Sequence, residues 1–522
     1  MKALRRLSWP SAARMHAALV ALILVWAALE SFGPVRSQRI ASATFDLMQR
    51  HRVWASAPDP RLLIVDIDER SLADLSGEFG RWPWSRDTLA TLLEAAQSQG
   101  ALAVVFDILF SDPDRVRPGG DVALDAAVRA SRLGFFQVVR LPAANDARSE
   151  LTLDRLSGLA TPPATPSSAP TVALIVPFMQ SMLDSGHLGT DTVQLDFDGK
   201  LRRFAFAERL HGWVIASMPL AVERALGAAG DDSGAPRLTV WRDAAGAYPR
   251  VPFSQVFACA EQRARTACPD LRGKLLIVGA TAPSLHDLMS SPLAINHPGV
   301  DILATLIDNA LHARWYRELD TWLRFGLAVA ALGLAWTASR QRAVRATEFA
   351  LVGLPIVLLL LGYLSLHSEW LFLDLMLPAG MAIAFLSLVK GYDTARRFVF
   401  GLRRAPQAGR WALACGCAVR AAEQLERHVF DLGVRHGLGI SGGPRAAGSW
   451  GDADACWVLW EVADPATAAA LEDDLRDAFP SAWTQLFAVT QDADRDLHRA
   501  LSRRGSPDTA PMLSNEAPDA PS

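Results

Sequence analysis

The sequence is poor in charged residues and has little net charge. Only 20% of its 522 residues are charged, and the net charge is −3 at pH 7. Without a basic surplus there is no electrostatic footprint for a nucleic-acid backbone, so nucleic acid is not an expected partner. A mean hydropathy of +0.15 instead indicates membrane-spanning segments, and the length requires more than one domain.

Catalytic and metal-binding motifs are also scarce. The glycine-rich stretch at residues 439–452 lacks the lysine and the serine or threonine of a phosphate-binding loop. Cys415, Cys417 and Cys456 are three thiols without a fourth zinc ligand, so reduced structural cysteines are favoured over a metal site. We therefore predict no metal, no cofactor and no catalytic residue.

Four apolar runs are present, at residues 15–33, 322–338, 349–366 and 371–389. Each approaches the ~20 residues that a helix needs to cross a bilayer. Basic residues precede the first run and follow the second and fourth, whereas the loop after the third has none. Because cytoplasmic loops retain positive charge, we predict four transmembrane helices, with residues 1–14 and 390–522 in the cytoplasm and residues 34–321 outside it.

The first run allows two interpretations, a cleaved signal peptide and an uncleaved anchor. Glu30, Ser31, Phe32 and Gly33 follow its most apolar part, and they provide no typical cleavage site of small residues. The anchor is therefore favoured. In both cases the segment that follows is exported.

The exported segment has the pattern of an α/β domain. Residues 62–67 and 103–106 are continuous apolar runs, as in strands that are buried on both faces. Between them a helix is predicted over residues 88–99, capped by Asp87 and ended by Gly100. This crossover unit predicts a largely parallel sheet with flanking helices. Further on, residues 194–196 and 203–206 flank an Asp-Gly turn and predict a hairpin.

Carboxylates follow both predicted strands. Asp66 and Asp68 end the first and Asp107 ends the second, so all three belong to the carboxyl edge of the sheet, where open α/β sheets bind ligands. One interpretation is a site for a cation or a cationic ligand. The other is that these carboxylates cap helices or hold Arg70 and Arg86. The second is favoured in general, but three buried carboxylates without partners would be costly.

Two further stretches provide candidate ligand-binding residues. Trp82 and Arg86 lie around a proline and could stack on a ligand, although packing of a turn is the simpler interpretation. Gly279, Ala280 and Thr281 follow a predicted strand and could hold an anion or form a tight turn. His286 and Asp287 could join that site or form a structural hydrogen bond.

Cys259 and Cys268 lie in the exported segment. Because that compartment is oxidising, a structural disulfide is favoured over two free thiols.

Several motifs occur in an order similar to that of CHASE domains of the second type. They are RWPWSR at 81–86, FDILFSDP at 106–113, GKLLIVGAT at 273–281, the D-x-x-x-S-P stretch from Asp287 and HPGVDILATLIDNAL at 297–311. The resemblance implies an extracytoplasmic sensor of a bacterial signalling protein, held in the inner membrane with a large periplasmic loop. It also implies an unknown small-molecule signal, and a homodimer is plausible by this resemblance alone.

The cytoplasmic segment at residues 390–504 is short, and residues 505–522 resemble a disordered tail. Its predicted strands and helices follow the order βαββαβ, so a small α+β domain of the ferredoxin-like type is expected. We expect a non-catalytic module that passes the signal to a cytoplasmic protein partner. The alternatives are a degenerate enzyme resembling a nucleotide cyclase, and a structural membrane protein that binds the envelope.

Overall fold

The chain forms two compact units, which we describe separately. The α/β unit comprises Ser37–Asp320 and Leu360–Asp374, and the helical unit comprises Met1–Arg36, Thr321–Leu359 and Leu375–Ser522. The computed structural model describes residues 12–32, 38–165, 168–228, 230–242, 246–264, 266–285, 287–340, 344–401, 410–417, 439–441, 455–462, 465–480 and 483–489.

The regular elements of the described chain are numbered in chain order. The helices are α1 Ala12–Phe32, α2 Gln38–Arg50, α3 Glu69–Phe79, α4 Asp87–Gln99, α5 Pro118–Ala130, α6 Gln180–Leu183, α7 Met218–Ala225, α8 Phe253–Ala260, α9 Gly299–Leu311, α10 Thr321–Arg340, α11 Val344–Ser365, α12 Met376–Gly401 and α13 Pro465–Ala478. The strands are β1 Leu62–Ile67, β2 Ala103–Phe106, β3 Gly134–Arg140, β4 Ala160–Thr161, β5 Leu174–Ile175, β6 Leu188–Thr190, β7 Arg203–Phe204, β8 Ala207–Leu210, β9 Trp213–Ala216, β10 Arg237–Thr239, β11 Arg250–Pro252, β12 Leu275–Ala280, β13 Leu288–Met289, β14 His297–Pro298, β15 Trp315–Glu318, β16 Leu371–Phe372, β17 Arg410–Cys417, β18 Gly439–Ser441, β19 Ala455–Val462 and β20 Trp483–Val489.

A seven-stranded sheet forms the centre of the α/β unit. Its order is β11-β1-β12-β2-β3-β5, with β6 also paired to β3. Every pair is parallel except β3 with β5. The prediction of a mixed α/β fold with a largely parallel sheet is confirmed.

Both faces of this sheet are covered, which explains the continuous apolar runs. Along β1, Leu63 and Val65 pack into one core with α3, α4, α5 and α8. Leu62 and Ile64 pack into the other core with α7 and α9. Since alternate side chains of a strand point to opposite faces, a strand between two cores is apolar on both faces, and in β1 the buried Asp66 near its end is the exception.

Helix α4 agrees with the prediction except at its first residue. Gly100 ends it in the left-handed conformation, with φ of +77°. Asp87 is the first helical residue, Arg86 occupies the N-cap position, and no side chain caps this end. The predicted cap at Asp87 is therefore wrong, although the helix itself is present.

The predicted hairpin over residues 194–196 and 203–206 is also wrong. Its turn exists, since the Gly199 amide donates to the carbonyl of Asp196. However, β7 pairs with β10 rather than with residues 194–196. The long-range pairing of β7 with β10 thus takes the place of the predicted local pairing.

The helical unit contains the apolar helices. Within the described chain, three helices are long and apolar enough to cross a membrane, at Met15–Phe32, Thr321–Ser339 and Ala350–Ser368. A shorter apolar segment, Met376–Tyr392, lies in α12. Four spans therefore remain a prediction, and helix α12 begins only at Met376 rather than at Leu371.

Strands β17 to β20 form an antiparallel sheet in the order β18-β19-β17-β20. Helix α13 joins β19 to β20 in sequence, as expected. The helix predicted over residues 421–433 lies outside the described residues. The ferredoxin-like assignment therefore stays a prediction.

Candidate functional site

Polar side chains gather at the carboxyl edge of the central sheet. Asp66 lies near the end of β1, Asp107 follows β2, Thr281 follows β12 and Asp191 follows β6. These strands are parallel, so their carboxyl ends share one edge. We call this edge, with the side chains that reach it, the carboxylate site.

Asp66 is almost fully buried and is held from two sides. Its Oδ1 accepts a hydrogen bond from the Thr281 hydroxyl at 2.7 Å, and its Oδ2 lies 3.3 Å from Nη1 of Arg250. Nη2 of Arg250 also lies 2.8 Å from Oδ1 of Asp301 on α9. Burial raises the pKa of Asp66, which the Thr281 hydrogen bond and the Arg250 charge offset only in part. The single guanidinium of Arg250 thus pairs with two buried carboxylates, those of Asp66 and Asp301.

Asp68 has a structural role. Its carboxylate accepts a hydrogen bond from the backbone amide of Ser71 at 2.7 Å, as the N-cap of α3. The two aspartates at the end of β1 therefore separate, and the capping interpretation applies to Asp68. Asp66 pairs with Arg250, whereas Arg70 pairs with Asp74 and Arg86 with Asp121.

Asp107, Asp191 and Asp287 form a second, less compensated part of the site. Burial and the charges of Asp191 and Asp287 raise the pKa of Asp107 well above its usual value. Burial and the charge of Asp287 raise the pKa of Asp191 to about 7, against a hydrogen bond from Gln137. Burial likewise raises the pKa of Asp287.

No lysine or arginine among the described residues forms an ion pair with Asp107, Asp191 or Asp287. Like charges brought together in a half-buried place favour protonation or the arrival of a positive charge. In the part of the chain that the structure describes, no group of His, Cys, Asp and Glu side chains has the arrangement of a metal site.

Gly279 and Gly299 allow close packing at this edge. A β-carbon at Gly279 would lie 2.8 Å from the side chain of Val300 and 3.1 Å from Cβ of Asp107. A β-carbon at Gly299 would lie 2.7 Å from both carboxylate oxygens of Asp287. Gly279, which belongs to the stretch predicted to hold an anion, thus allows α9 to pack closely on the sheet. Asp287 lies against Gly299, the first residue of α9.

Trp82 and Arg86 make their described contacts away from these carboxylates. Trp82 packs edge-on against Trp84, which in turn packs on Phe253. The guanidinium of Arg86 is paired with Asp121 and lies 4.9 Å from the centre of the Phe178 ring. Packing explains both side chains. His286 lies outside the described residues.

The sulfur atoms of Cys259 and Cys268 lie at disulfide distance, in agreement with the prediction. The pair joins the end of α8 to the loop before β12. Neither cysteine belongs to the carboxylate site, which is consistent with a structural role.

Sequence reasoning missed four residues of the site: Gln137, Asp191, Arg250 and Asp301. A partial signal existed for Asp191, because it directly follows the short stretch Leu188–Thr190 that forms β6, as Asp107 follows β2. No such signal existed for Arg250 or Asp301. Arg250 enters through the pairing of β11 with β1, and Asp301 through the packing of α9 on the sheet.

A two-sided α/β domain that carries a carboxylate edge and is followed by apolar helices has the organisation of a membrane-bound extracytoplasmic sensor. The CHASE2 domain family matches residues 17–338, more than half of the chain. The chain belongs to this family. No curated protein and no solved structure matches it.

Proposed function

We propose that the chain is an integral membrane signal-transduction sensor whose carboxylate site binds a small, positively charged ligand outside the cytoplasm. The main support is the group of Asp107, Asp191 and Asp287, which has no described cationic partner. A ligand with an ammonium or guanidinium group would neutralise these carboxylates and satisfy their oxygens.

The experiment is a thermal-shift screen of the full chain in detergent with amines, guanidines and amino acids of different charge. A ligand that binds only the folded state raises the melting temperature, by an amount that grows with its concentration. The cationic members should raise it, and anionic members of equal size should not. Asp107→Asn should abolish the response, while Asp154→Asn, an exposed change, should preserve it. A broad screen without any cation-dependent shift contradicts the proposal.

The same proposal includes a topology and an output. Four spans would place residues 34–321 in the periplasm of a bacterial inner membrane and residues 390–522 in the cytoplasm, where a non-catalytic module contacts a protein partner or a second copy. The basic residues beside the apolar runs support this arrangement. A reporter that is active only in the cytoplasm should be active when fused after Ser522. Activity of a periplasm-specific reporter at that position would overturn the topology.

A further inference from the structure

Helix α9 begins at the carboxylate site and is buried along almost its whole length. At its start, Gly299 lies against the Asp287 carboxylate and Asp301 is paired with Arg250. From Val300 to Ala310 its residues are buried. Because α9 is packed on all sides, a displacement at its first turn cannot be absorbed locally and must appear at its last turn.

The last turn of α9 carries Asp308, which is joined to Arg242. Nε of Arg242 lies 3.1 Å from Oδ2 of Asp308, and the Tyr248 hydroxyl donates to the same oxygen at 3.0 Å. Nη1 of Arg242 lies 3.2 Å from Oε2 of Glu369. The side chains of Arg242 and Asp308 are 2% and 0% exposed. One buried guanidinium therefore bridges α9 and Glu369.

Glu369 belongs to residues 366–374, which we call the α11–α12 turn because they join these two helices. The Ser56 amide donates to its Oε1 at 2.8 Å, and Nη2 of Arg52 lies 3.5 Å from the same atom. Its φ is +57°, a left-handed conformation that non-glycine residues rarely adopt. These contacts hold the residue in that unfavourable conformation.

The rest of the α11–α12 turn is also fixed within the α/β unit. The Tyr316 hydroxyl donates to the Leu366 carbonyl at 2.9 Å, and β16 pairs in parallel with β15. Phe372 packs with Phe45 and Tyr316 in a small apolar core. The connection between two apolar helices is thus built into the domain that carries the carboxylate site.

We propose that Arg242 couples the carboxylate site to the α11–α12 turn, so that α9 passes a change at the site to the connection between α11 and α12. This inference rests on the proposed function. If α9 moved without Arg242, the buried Asp308 carboxylate would lose its guanidinium partner, which is unfavourable, and would keep the His312 imidazole, whose Nδ1 lies 3.1 Å from its Oδ1. Arg242 therefore follows α9, and its displacement changes the contacts of Glu369, which Ser56 and Arg52 also hold. Such coupling requires that α9 has two packed arrangements. A change at the carboxylate site must favour one of them, and the α11–α12 turn must differ between the two.

The test uses hydrogen–deuterium exchange of the full chain in lipid nanodiscs, read at the amides of residues 369–373. Asp301→Asn perturbs the site end of α9, Arg242→Met removes the bridge, and the double variant combines them. Arg129→Met is the control, because it breaks an exposed ion pair on α5. Asp301→Asn should accelerate exchange at the turn about tenfold, as expected for a locally weakened segment. Arg129→Met should leave exchange there unchanged.

In the double variant, Asp301→Asn should add nothing at the turn to the effect of Arg242→Met, because non-additivity is the signature of a shared path. Unchanged exchange at the turn in Asp301→Asn, or additive effects of the two changes, overturns the proposal. If Arg242→Met does not fold, Glu369→Gln replaces it with the same expectation. Since no ligand is used, failure here leaves the thermal-shift result intact, so failure of the coupling is distinguished from failure of the proposed function.

Discussion

Arg202 and Asp46 are joined by two parallel hydrogen bonds across 156 positions of the chain. Nε of Arg202 lies 2.8 Å from Oδ1 of Asp46, and Nη2 lies 2.9 Å from Oδ2. The same guanidinium also binds Asp196 and Asp198. It therefore ties helix α2 to the loop before β7 and pairs with the buried Asp46 and the more exposed Asp196 and Asp198.

Arg202→Met should lower the free energy of unfolding of the α/β unit by up to about 3–5 kcal/mol, because it leaves the buried Asp46 carboxylate with Lys200 as its one remaining cation among the described residues. Urea unfolding followed by tryptophan fluorescence measures this change. The neighbouring Arg203→Met is the matched control, since Arg203 is paired with Glu318 in a partly exposed position and should cost less than about 1 kcal/mol. Equal effects of the two changes would contradict the assignment.

Asp191 should make the α/β unit less stable as the pH rises. Its pKa is about 7 in the folded protein against an ordinary 3.8, so between these values the folded state binds more protons than the unfolded state. Stability then falls with rising pH across this window and stays lower above it. Asp191→Asn should remove this contribution to the pH dependence of stability. At pH 8 its free energy of unfolding should exceed that of the wild type by roughly 1–3 kcal/mol. Melting temperatures from pH 4 to pH 8 test this, and an unchanged slope in the variant refutes it.

Gly189→Ala should be destabilising, although an unfolded chain with alanine loses less backbone entropy on folding than one with glycine. A β-carbon there would lie 2.4 Å from Cα and 2.7 Å from the nitrogen of Met218, which are backbone atoms at the start of α7. Overpacking of this kind costs about 1–3 kcal/mol. Gly119→Ala is the control, because it lies in α5 with open space around it and should stabilise by up to about 1 kcal/mol. Thermal unfolding of both variants decides between the two signs.

Removal of the disulfide by Cys259→Ser with Cys268→Ser should lower stability by about 2–3 kcal/mol, because the unfolded chain then loses the constraint of a short loop. The measurement is urea unfolding with and without a reductant. The reductant should destabilise the wild type by the same amount and leave the variant unchanged. A reductant effect on the variant would mean that another thiol is responsible.

Individual strands of the central sheet could be predicted from the sequence, but the order of the strands in the sheet could not. Strands β1 and β2 and helix α4 follow from short apolar runs and from Gly100, which are local signals. However, β12 lies between β1 and β2 although it comes far later in the chain. No local pattern encodes that neighbour, because the three strands are almost equally apolar.

The carboxylate site was predicted in the same partial way. Asp66 and Asp107 could be placed at one edge because both end buried parallel strands. The partners of Asp66 could not, because Arg250 and Thr281 reach it from elements that are distant in sequence. The α11–α12 turn was missed for a related reason, since Leu371 is apolar enough to be assigned to a span although it pairs with Arg317 in β15 and β16.

The position of β12 has a consequence for the order in which a newly made chain can fold. Strand β1 pairs with β11 at one edge and with β12 at the other, so the first edge has no partner until residues 250–252 have been made and the second has none until residues 275–280 have been made. For that interval an apolar strand has at least one unpaired edge, which favours pairing with other chains. Folding of the α/β unit should therefore depend on keeping the early strands apart from other chains until the late ones arrive.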